Sequence, residues 1–264
     1  GPGGVAMAEV LGGKIEADTC KLCSGGGGSN VAVGLKRLGE AVKIVSRIGD
    51  DYMGSLIVKE LEEKQLDLEL LQKGKGETGV SSVLIASNGL RSIVTYRGES
   101  LNIESRDIDW ELIKKADWLQ ISSLGGRMDL LTDLVDFCFN IGVRVGVNPG
   151  KAELQSIDFK KLLPKVDFLS LNKDEASKLT GISFDEEKLI YKKISSFGPR
   201  IIAITDGKRG ACLIRSGNWW KMNTFPDKSI DDTGAGDAFV SGAVWAMLNY
   251  KNEFPGGLLP RVKE

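Results

Sequence analysis

The residues best suited to chemistry lie in a short segment near the carboxyl end of the chain, residues 231–237, with the sequence DDTGAGD. The small residues Gly234, Ala235 and Gly236 leave their backbone N–H groups accessible, and the apolar segment behind them predicts a helix whose positive end points the same way. Such a turn can hold a phosphate. Asp237 falls in the first turn of that helix, where a carboxylate could take a proton from a hydroxyl that attacks a phosphoryl group. The alternative is a turn in which Asp237 only caps the helix.

A second glycine-rich segment, residues 25–28, comes directly before a periodic apolar helix that starts near Ser29. Four successive glycines let a chain pass close to a ligand. Asn30, in the first turn of that helix, could donate and accept hydrogen bonds with hydroxyl groups. The alternative is a flexible loop that only caps the helix.

Three other positions have two readings each. Asn172 and Glu175 follow an apolar run with the spacing of a capping box. Residues 205–210, TDGKRG, read on their own as a hairpin turn. Arg97 ends a predicted hairpin, where its guanidinium could bind an anionic substrate group or simply face solvent.

Composition excludes several classes of function. The chain of 264 residues has no histidine, which removes Ser-His and Cys-His nucleophile pairs and His-ligated metals. Its 35 basic and 36 acidic residues give a net charge of −1, so nothing favours a nucleic-acid or membrane partner. Cys20 and Cys23 form a CxxC without a second pair to complete a zinc site, which predicts reduced thiols and a cytoplasmic protein.

The elements that must position these residues alternate between strand and helix periods. Apolar runs separated by helical segments indicate βαβ units, hence an α/β fold with a mostly parallel sheet and helices on both faces. In such sheets ligands bind at the carboxyl ends of the strands. The predicted strands are residues 42–48, 118–122, 143–147, 166–171 and 201–205.

Two regions break this alternation, residues 5–23 and 78–97. Both have strand-like patterns without a helix between them, and Asn88-Gly89 predicts a hairpin turn in the second. We therefore expect a small antiparallel sheet that projects from the body and could close over a ligand as a lid. The alternative is an edge hairpin without a role in binding.

The glycine-rich motifs, in this order and at these separations, resemble those of the ribokinase-like carbohydrate kinases, also called the phosphofructokinase-B family. Residues 231–237 are similar to the family signature Asp-Thr-x-Gly-Ala-Gly-Asp, with Asp232 in place of the usual threonine. Residues 25–30 resemble the amino-terminal glycine-rich signature, and residues 49–54 match Gly-Asp-Asp-x-x-Gly. The resemblance covers roughly residues 24–250. It implies a three-layer α/β sandwich with a β-sheet lid, as one domain over residues 1–264.

The resemblance also implies a reaction, the ATP-dependent phosphorylation of a hydroxyl on a small carbohydrate. In this reading Asp237 is the general base, and the backbone at Gly234, Ala235 and Gly236 forms the anion hole. The substrate contacts implied by the resemblance are Gly26, Gly27, Asn30 and Arg97.

By the same resemblance, four residues would contact the nucleotide: Asn172, Thr205, Gly207 and Gly210. Glu175 would hold Mg²⁺ through water, which suits an ion that keeps several waters when bound to protein. A monovalent cation is a further cofactor that the family admits. Asp206 departs from the family, which usually has an apolar residue at that position.

Other readings stay open. The family has an additional first strand and further carboxyl-terminal helices, so the chain is expected to be truncated at both ends. It could be a non-catalytic sugar- or nucleotide-binding relative, or a nucleoside kinase of the same fold. A dinucleotide-dependent dehydrogenase is disfavoured because residues 25–28 lack G-x-G-x-x-G spacing. An exposed lid sheet could also pair two copies of the chain as a homodimer.

Overall fold

A central sheet of six strands organises the chain. The computed structural model describes residues 16–85, 91–225 and 233–250. Within these ranges the strand order is β10-β9-β8-β7-β6-β5. Strands β5 to β8 run parallel, whereas β9 is antiparallel to β8 and β10 is antiparallel to β9. The strands are β5 (Trp118–Ser122), β6 (Arg144–Asn148), β7 (Phe168–Asn172), β8 (Ile201–Thr205), β9 (Ala211–Arg215) and β10 (Asn218–Met222).

Helices cover both faces of this sheet. Along a strand, side chains alternate between the faces. In β8, Ile201 and Ala203 pack against the first and last helices, while Ile202 and Ile204 pack on the opposite face. The helices are α1 (Gly27–Arg37), α2 (Tyr52–Glu63), α3 (Trp110–Ile113), α4 (Met128–Ile141), α5 (Lys151–Gln155), α6 (Ile157–Leu162), α7 (Lys173–Thr180), α8 (Glu187–Ser195) and α9 (Ala235–Asn249).

This three-layer arrangement confirms the predicted α/β fold with a mostly parallel central sheet. Among the helices in the described ranges, none has the length and apolar character needed to cross a bilayer.

The predicted strands of the central sheet agree closely with the structure. Strands β5 and β8 have the predicted bounds, and β6 and β7 are shifted by one or two residues. The prediction for residues 42–48 is wrong in part, because the strand there is β1 (Ser46–Gly49), paired in parallel with β2 (Leu71–Gly74). Lys43 makes only an isolated bridge with Asp67. A strand extends only as far as its partner, and β2 is four residues long.

The predicted hairpin is present as a separate two-stranded sheet. Strand β3 (Val80–Ile85) is antiparallel to β4 (Arg91–Tyr96), and the predicted turn at Asn88-Gly89 lies outside the described residues. Several apolar side chains of the hairpin are exposed, with Val94 at 68% and Ile93 at 59%. In the other predicted lid segment, residues 16–23 form neither helix nor strand, and residues 5–15 lie outside the described ranges.

One end of the hairpin is anchored by the segment that resembles Gly-Asp-Asp-x-x-Gly. The Asp51 carboxylate caps α2 by accepting the Gly54 N–H at 2.7 Å, and it also accepts the Thr78 N–H at 2.8 Å and the Thr78 hydroxyl at 2.6 Å. Thr78 Oγ1 in turn accepts the Gly49 N–H at 2.9 Å. The Thr78 hydroxyl and these backbone N–H groups lower the pKa of Asp51. The motif therefore ties the start of β3 to α2 and β1.

The other end of the hairpin is anchored by a buried carboxylate. Glu99 is 5% exposed and follows β4 by three residues. Its Oε2 accepts the Arg47 Nε–H at 2.7 Å, and its Oε1 accepts the Gly76 N–H at 2.7 Å. Thr78, before β3, and Glu99, after β4, are thus both hydrogen-bonded to residues of β1. The two strands of the hairpin extend beyond these anchoring contacts.

Helices α1 and α9 touch at a glycine. A Cβ placed on Gly34 would overlap Ser241 Oγ and lie 2.7 Å from Ser241 Cβ, closer than real Cβ contacts. Ser241 is 1% exposed and donates its hydroxyl hydrogen bond to the Asp237 carbonyl at 2.8 Å. Gly34 therefore sets the separation of the two helices whose amino-terminal turns carry Asn30 and Asp237.

We expect Gly34→Ala to lower the free energy of unfolding by about 1–3 kcal/mol, because the added methyl group overpacks a closed contact. Urea unfolding followed by circular dichroism measures the change. Gly242→Ala is the matched control: it lies in α9, its added Cβ would meet nothing within 4 Å, and helix propensity favours alanine by up to about 1 kcal/mol. Equal stability of the two variants would contradict the packing argument.

Candidate active site

Asp237 lies in the first turn of α9, as predicted. The helix begins at Ala235 after Gly234, whose φ of 80° is a left-handed conformation that glycine adopts without strain. The first N–H groups of a helix have no acceptor within the helix, and they carry its partial positive charge. Ala235 and Gly236 are exposed, and a Cβ on Gly236 would meet nothing within 4 Å. The amino terminus of α9 is therefore open to an anion. The adjoining Asp231 and Asp232 lie outside the described residues.

A hydrogen bond joins Asp237 to the other predicted glycine-rich segment. Asn30 Nδ2 donates to Asp237 Oδ2 at 2.7 Å. Asn30 is in the first turn of α1, which follows Gly26 with a φ of 96°. A Cβ on Gly27 would lie 3.4 Å from Asp237 Oδ1, so the glycine backbone borders the carboxylate directly. Three predicted site residues, Gly27, Asn30 and Asp237, thus meet in one place.

The carboxylate is held in a partly dehydrated position. Burial raises the pKa of Asp237 above its ordinary value, and the hydrogen bond from Asn30 acts in the opposite direction. Asp237 remains half-buried, with its carboxylate beside the exposed turn at Ala235 and Gly236. A carboxylate with a raised pKa is a stronger proton acceptor once ionised, which suits a general base.

Ser122 is a neighbour of this group that the sequence did not single out. It is the last residue of β5, and a Cβ on Gly27 would lie 3.2 Å from its Oγ. Its hydroxyl is buried and has no hydrogen-bond partner among the described residues. The contact places Gly27 and Asp237 at the carboxyl end of β5, the sheet edge where ligands are expected.

Asn172 and Glu175 form the capping box that their spacing predicts. Asn172 Oδ1 accepts the Glu175 N–H at 2.8 Å, and Glu175 Oε2 accepts the Asn172 N–H at 2.8 Å. Burial raises the pKa of Glu175, and the Asn172 N–H partly offsets this effect. The hydrogen bond from the Asn172 N–H engages one of the two carboxylate oxygens, Oε2. Asn172 and Glu175 therefore cap α7, and the cap uses one of the two carboxylate oxygens of Glu175.

Residues 205–210 lie beside this capping box. Thr205 pairs with Asn172 in the parallel register of β8 and β7, and a 3₁₀ turn follows at Gly207–Arg209. Gly207 has a φ of 52° and Gly210 a φ of 90°. A Cβ on Gly210 would overlap the Met222 carbonyl oxygen, so this glycine is required by packing against β10.

Asp206, the departure from the family pattern, is fully paired. Arg209 binds it with two hydrogen bonds, from Nε to Oδ2 at 2.8 Å and from a terminal nitrogen to Oδ1 at 2.7 Å. Lys173 Nζ adds an ion pair at 3.2 Å. These cations, Arg209 foremost, lower the pKa of Asp206. Sequence reasoning missed Lys173, although its position directly after Asn172 is the available signal.

Arg97 lies at the end of β4, near the loop that follows β5. A Cβ on Gly125 would lie 3.4 Å from Arg97 Cδ. The arginine is exposed and forms no ion pair with another residue in the described ranges. Its charge is thus available near the same sheet edge, but it does not contact Asp237 through any hydrogen bond or ion pair between described residues.

The predicted site residues therefore form three groups along one edge of the sheet. Gly27, Asn30 and Asp237 adjoin β5, and Asn172, Glu175 and Thr205 follow β7 and β8. Two strand spacings separate β5 from β7, which corresponds to about 10 Å. Arg97 comes from the hairpin, on the side of the loop after β5.

We expect Asn30→Ala to raise the pKa of Asp237 further, because the lost hydrogen bond stabilised the ionised carboxylate. The carboxyl ¹³C shift of labelled aspartate, followed against pH and assigned with Asp237→Asn, measures this. Ser81→Ala, a substitution in the distant hairpin, should leave the titration unchanged. A pKa that is unaltered or lower in Asn30→Ala would refute the role of this hydrogen bond.

The chain is similar to known proteins over most of its length. The chain is 30% identical over 240 residues to an ATP-dependent 6-phosphofructokinase of Thermoanaerobacterium thermosaccharolyticum, covering 86% of this chain and 73% of that protein. It is 30% identical over 243 residues to a ribokinase of Haemophilus influenzae, covering 88% and 76%. The structure of Arabidopsis thaliana ribokinase complexed with ribose and ATP is similar with a TM-score of 0.77 at 26% identity, covering 90% and 79%.

Residues 7–253 match the family described as pfkB family carbohydrate kinase. The match spans both helix amino termini that meet at Asn30 and Asp237, and the relatives are named as kinases of sugars or sugar phosphates. The chain belongs to the pfkB family and is a carbohydrate kinase with the ribokinase-like fold.

Proposed function

We propose that the protein transfers the γ-phosphoryl group of ATP to a hydroxyl of a small carbohydrate, with Asp237 as general base. The observation that carries the proposal is the half-buried Asp237 carboxylate, held by Asn30 at 2.7 Å beside an open helix terminus. A base in this position can accept the hydroxyl proton as the oxygen attacks phosphorus.

The backbone beside Asp237 supplies the anion hole. The N–H groups of Ala235, Gly236 and Asp237 are the first of α9, so they lack helical acceptors. They can stabilise negative charge on the phosphoryl oxygens during transfer. Gly234 directs the chain into this turn through its positive φ, which a residue with a side chain would adopt only with strain.

The sugar would lie against the glycine-rich turn that starts α1. Gly26 and Gly27 present backbone without side chains, and Asn30 offers an amide to both the sugar and Asp237. Arg97 is exposed and without an ion-pair partner among described residues, so it can bind a phosphate or carboxylate group of the substrate as a fork. This favours a carbohydrate that carries an anionic group.

The nucleotide would lie along the ends of β7 and β8. Asn172, whose Oδ1 caps α7, would contact a phosphate at this strand end. Thr205 offers a hydroxyl at the adjacent strand end, and the turn through Gly207 and Gly210 brings backbone close to a ligand. A triphosphate lying from this edge toward Asp237 would place its last phosphoryl group at α9.

The residues at the end of β7 fit Mg²⁺ held through water. Glu175 carries a carboxylate at this strand end, and a single carboxylate with several waters and phosphate oxygens is the usual way protein holds this ion. The chain would contribute Glu175 as the carboxylate that orients these waters. When bound, the ion neutralises charge on the phosphates.

The hairpin β3–β4 is suited to cover the sugar. The chain on either side of the hairpin is hydrogen-bonded to β1, through Thr78 and Glu99, while its strands extend from the body. Closure over the substrate would exclude water and so limit hydrolysis of ATP.

Asp237→Asn should reduce sugar phosphorylation by at least about 10²-fold, because the amide cannot accept the proton. Asp133→Asn, an exposed substitution on α4, is the control and should leave turnover unchanged. ATP consumption measured with ribose, fructose, 2-keto-3-deoxygluconate, tagatose 6-phosphate and nucleosides tests both the base and the substrate class.

Near-normal turnover in Asp237→Asn would reject the general base. Phosphorylation of nucleosides alone would assign the chain to the nucleoside kinases of this fold. Binding of sugar and ATP by the unaltered protein without turnover would favour a non-catalytic relative.

Glu175→Gln should raise the Mg²⁺ concentration for half-maximal activity by about 10- to 100-fold, the range found when an outer-shell group is lost. Glutamine can still accept the Asn172 N–H, so the cap and the thermal stability should be retained. Asp174→Asn changes an exposed neighbour on the same turn and serves as control. An unchanged Mg²⁺ dependence would show that Glu175 only caps α7.

A further inference from the structure

Two charged residues at variable positions of the family motifs face each other across neighbouring strand ends. Lys173 directly follows β7, and Asp206 directly follows β8. The preceding residues, Asn172 and Thr205, are register partners in the parallel sheet. A contact between Lys173 and Asp206 therefore links the start of α7 to the turn that follows β8, next to the proposed nucleotide contacts.

The pair is close and shielded from solvent. Lys173 Nζ lies 3.2 Å from Asp206 Oδ2, and the two side chains are 12% and 16% exposed. The Lys173 ammonium also lies 4.4 Å from the centroid of the Phe184 ring, within range of a cation–π interaction. Arg209, by contrast, is 66% exposed and binds Asp206 within its own turn. The Lys173 contact connects the turn after β8 to α7.

Lys173 is an unfavourable residue for its position unless it is paired. It is the first residue of α7, where the partial positive charge of the helix terminus repels a cation. Removal of Asp206 would leave a shielded ammonium group beside this terminus, which is strongly destabilising for a charge that few waters reach. Asp206 and the Phe184 ring together offset that cost.

We propose that Lys173 and Asp206 form a clasp that holds the start of α7 and the turn after β8 at a fixed separation and so positions the nucleotide contacts. The clasp rests on the proposed function, since it assumes that ATP lies along this edge. Lys173 and Asp206 act through Asn172 and Thr205, so they are positioning residues. They offer a physical reason for aspartate at position 206, where the family usually has an apolar residue.

The test compares four variants: Lys173→Met, Asp206→Asn, the double variant and Lys173→Arg. Each single neutral substitution should weaken ATP binding by about tenfold, and KM for the sugar should stay within about twofold. The double variant should bind ATP no more weakly than the single variant with the lower affinity, because the effects of substituting two residues in contact are not additive. Lys173→Arg keeps the charge and should retain most of the affinity.

The matched control is Lys178→Met on the same helix, which removes an exposed ion pair with Asp174. It should leave ATP binding unchanged. Thermal unfolding of every variant separates lost folding from lost positioning. Unchanged ATP affinity in Lys173→Met and Asp206→Asn, equal losses for ATP and sugar, or additive effects in the double variant would each overturn the clasp.

Isothermal titration with ATP alone separates this proposal from the proposed function. If the unaltered protein binds ATP but phosphorylates no sugar, the proposed function fails, and the affinity ratio between variants still decides the clasp. If the unaltered protein does not bind ATP, both proposals are overturned.

Discussion

A single hydrogen bond, from Asn30 to Asp237, joins two helix amino termini that are 207 residues apart in the chain. It depends on the close packing of α1 against α9, which Gly34 permits because a larger residue would overlap Ser241. The same packing brings the positive ends of both helices toward one place. A carboxylate between them is held in position, partly dehydrated and next to N–H groups able to bind an anion. In the proposed reaction, sugar and phosphate would be bound on either side of this carboxylate.

The remaining parts of the site depend on the parallel sheet. Because β5 to β8 run in the same direction, their carboxyl ends share one edge, and each ends in a polar residue: Ser122, Asn148, Asn172 and Thr205. The connections after these strands supply the turns that a long ligand can follow. The antiparallel strands β9 and β10 extend the sheet, and β10 packs closely against Gly210.

Several residues of the proposed site also stabilise the fold. Asn172 and Glu175 satisfy the amino terminus of α7, which needs acceptors for its N–H groups in any case. They lie at the strand edge where a nucleotide is proposed. Asp51 likewise caps α2 and at the same time anchors the hairpin through Thr78. The same residue can both cap a helix and bind a ligand. The spacing of these residues alone therefore could not decide between the two interpretations.

The sequence by itself determined features whose causes are local. Short apolar runs predicted β5 and β8 with correct bounds. Glycine at position 234 predicted the turn into α9, and the spacing of Asn172 and Glu175 predicted the cap. Such features are hydrogen bonds between near neighbours in the chain and the backbone conformations of single residues. They can be predicted from the residue types at a few adjacent positions.

Only the tertiary structure decided the contacts between distant segments. The bond between Asn30 and Asp237, the clasp between Lys173 and Asp206 and the anchoring of the hairpin by Glu99 each join parts of the chain that no short pattern connects. The same is true of β1, which is shorter than its apolar run because β2 offers four partners. Such contacts depend on which strands pair and how closely helices pack, and these are properties of the whole fold.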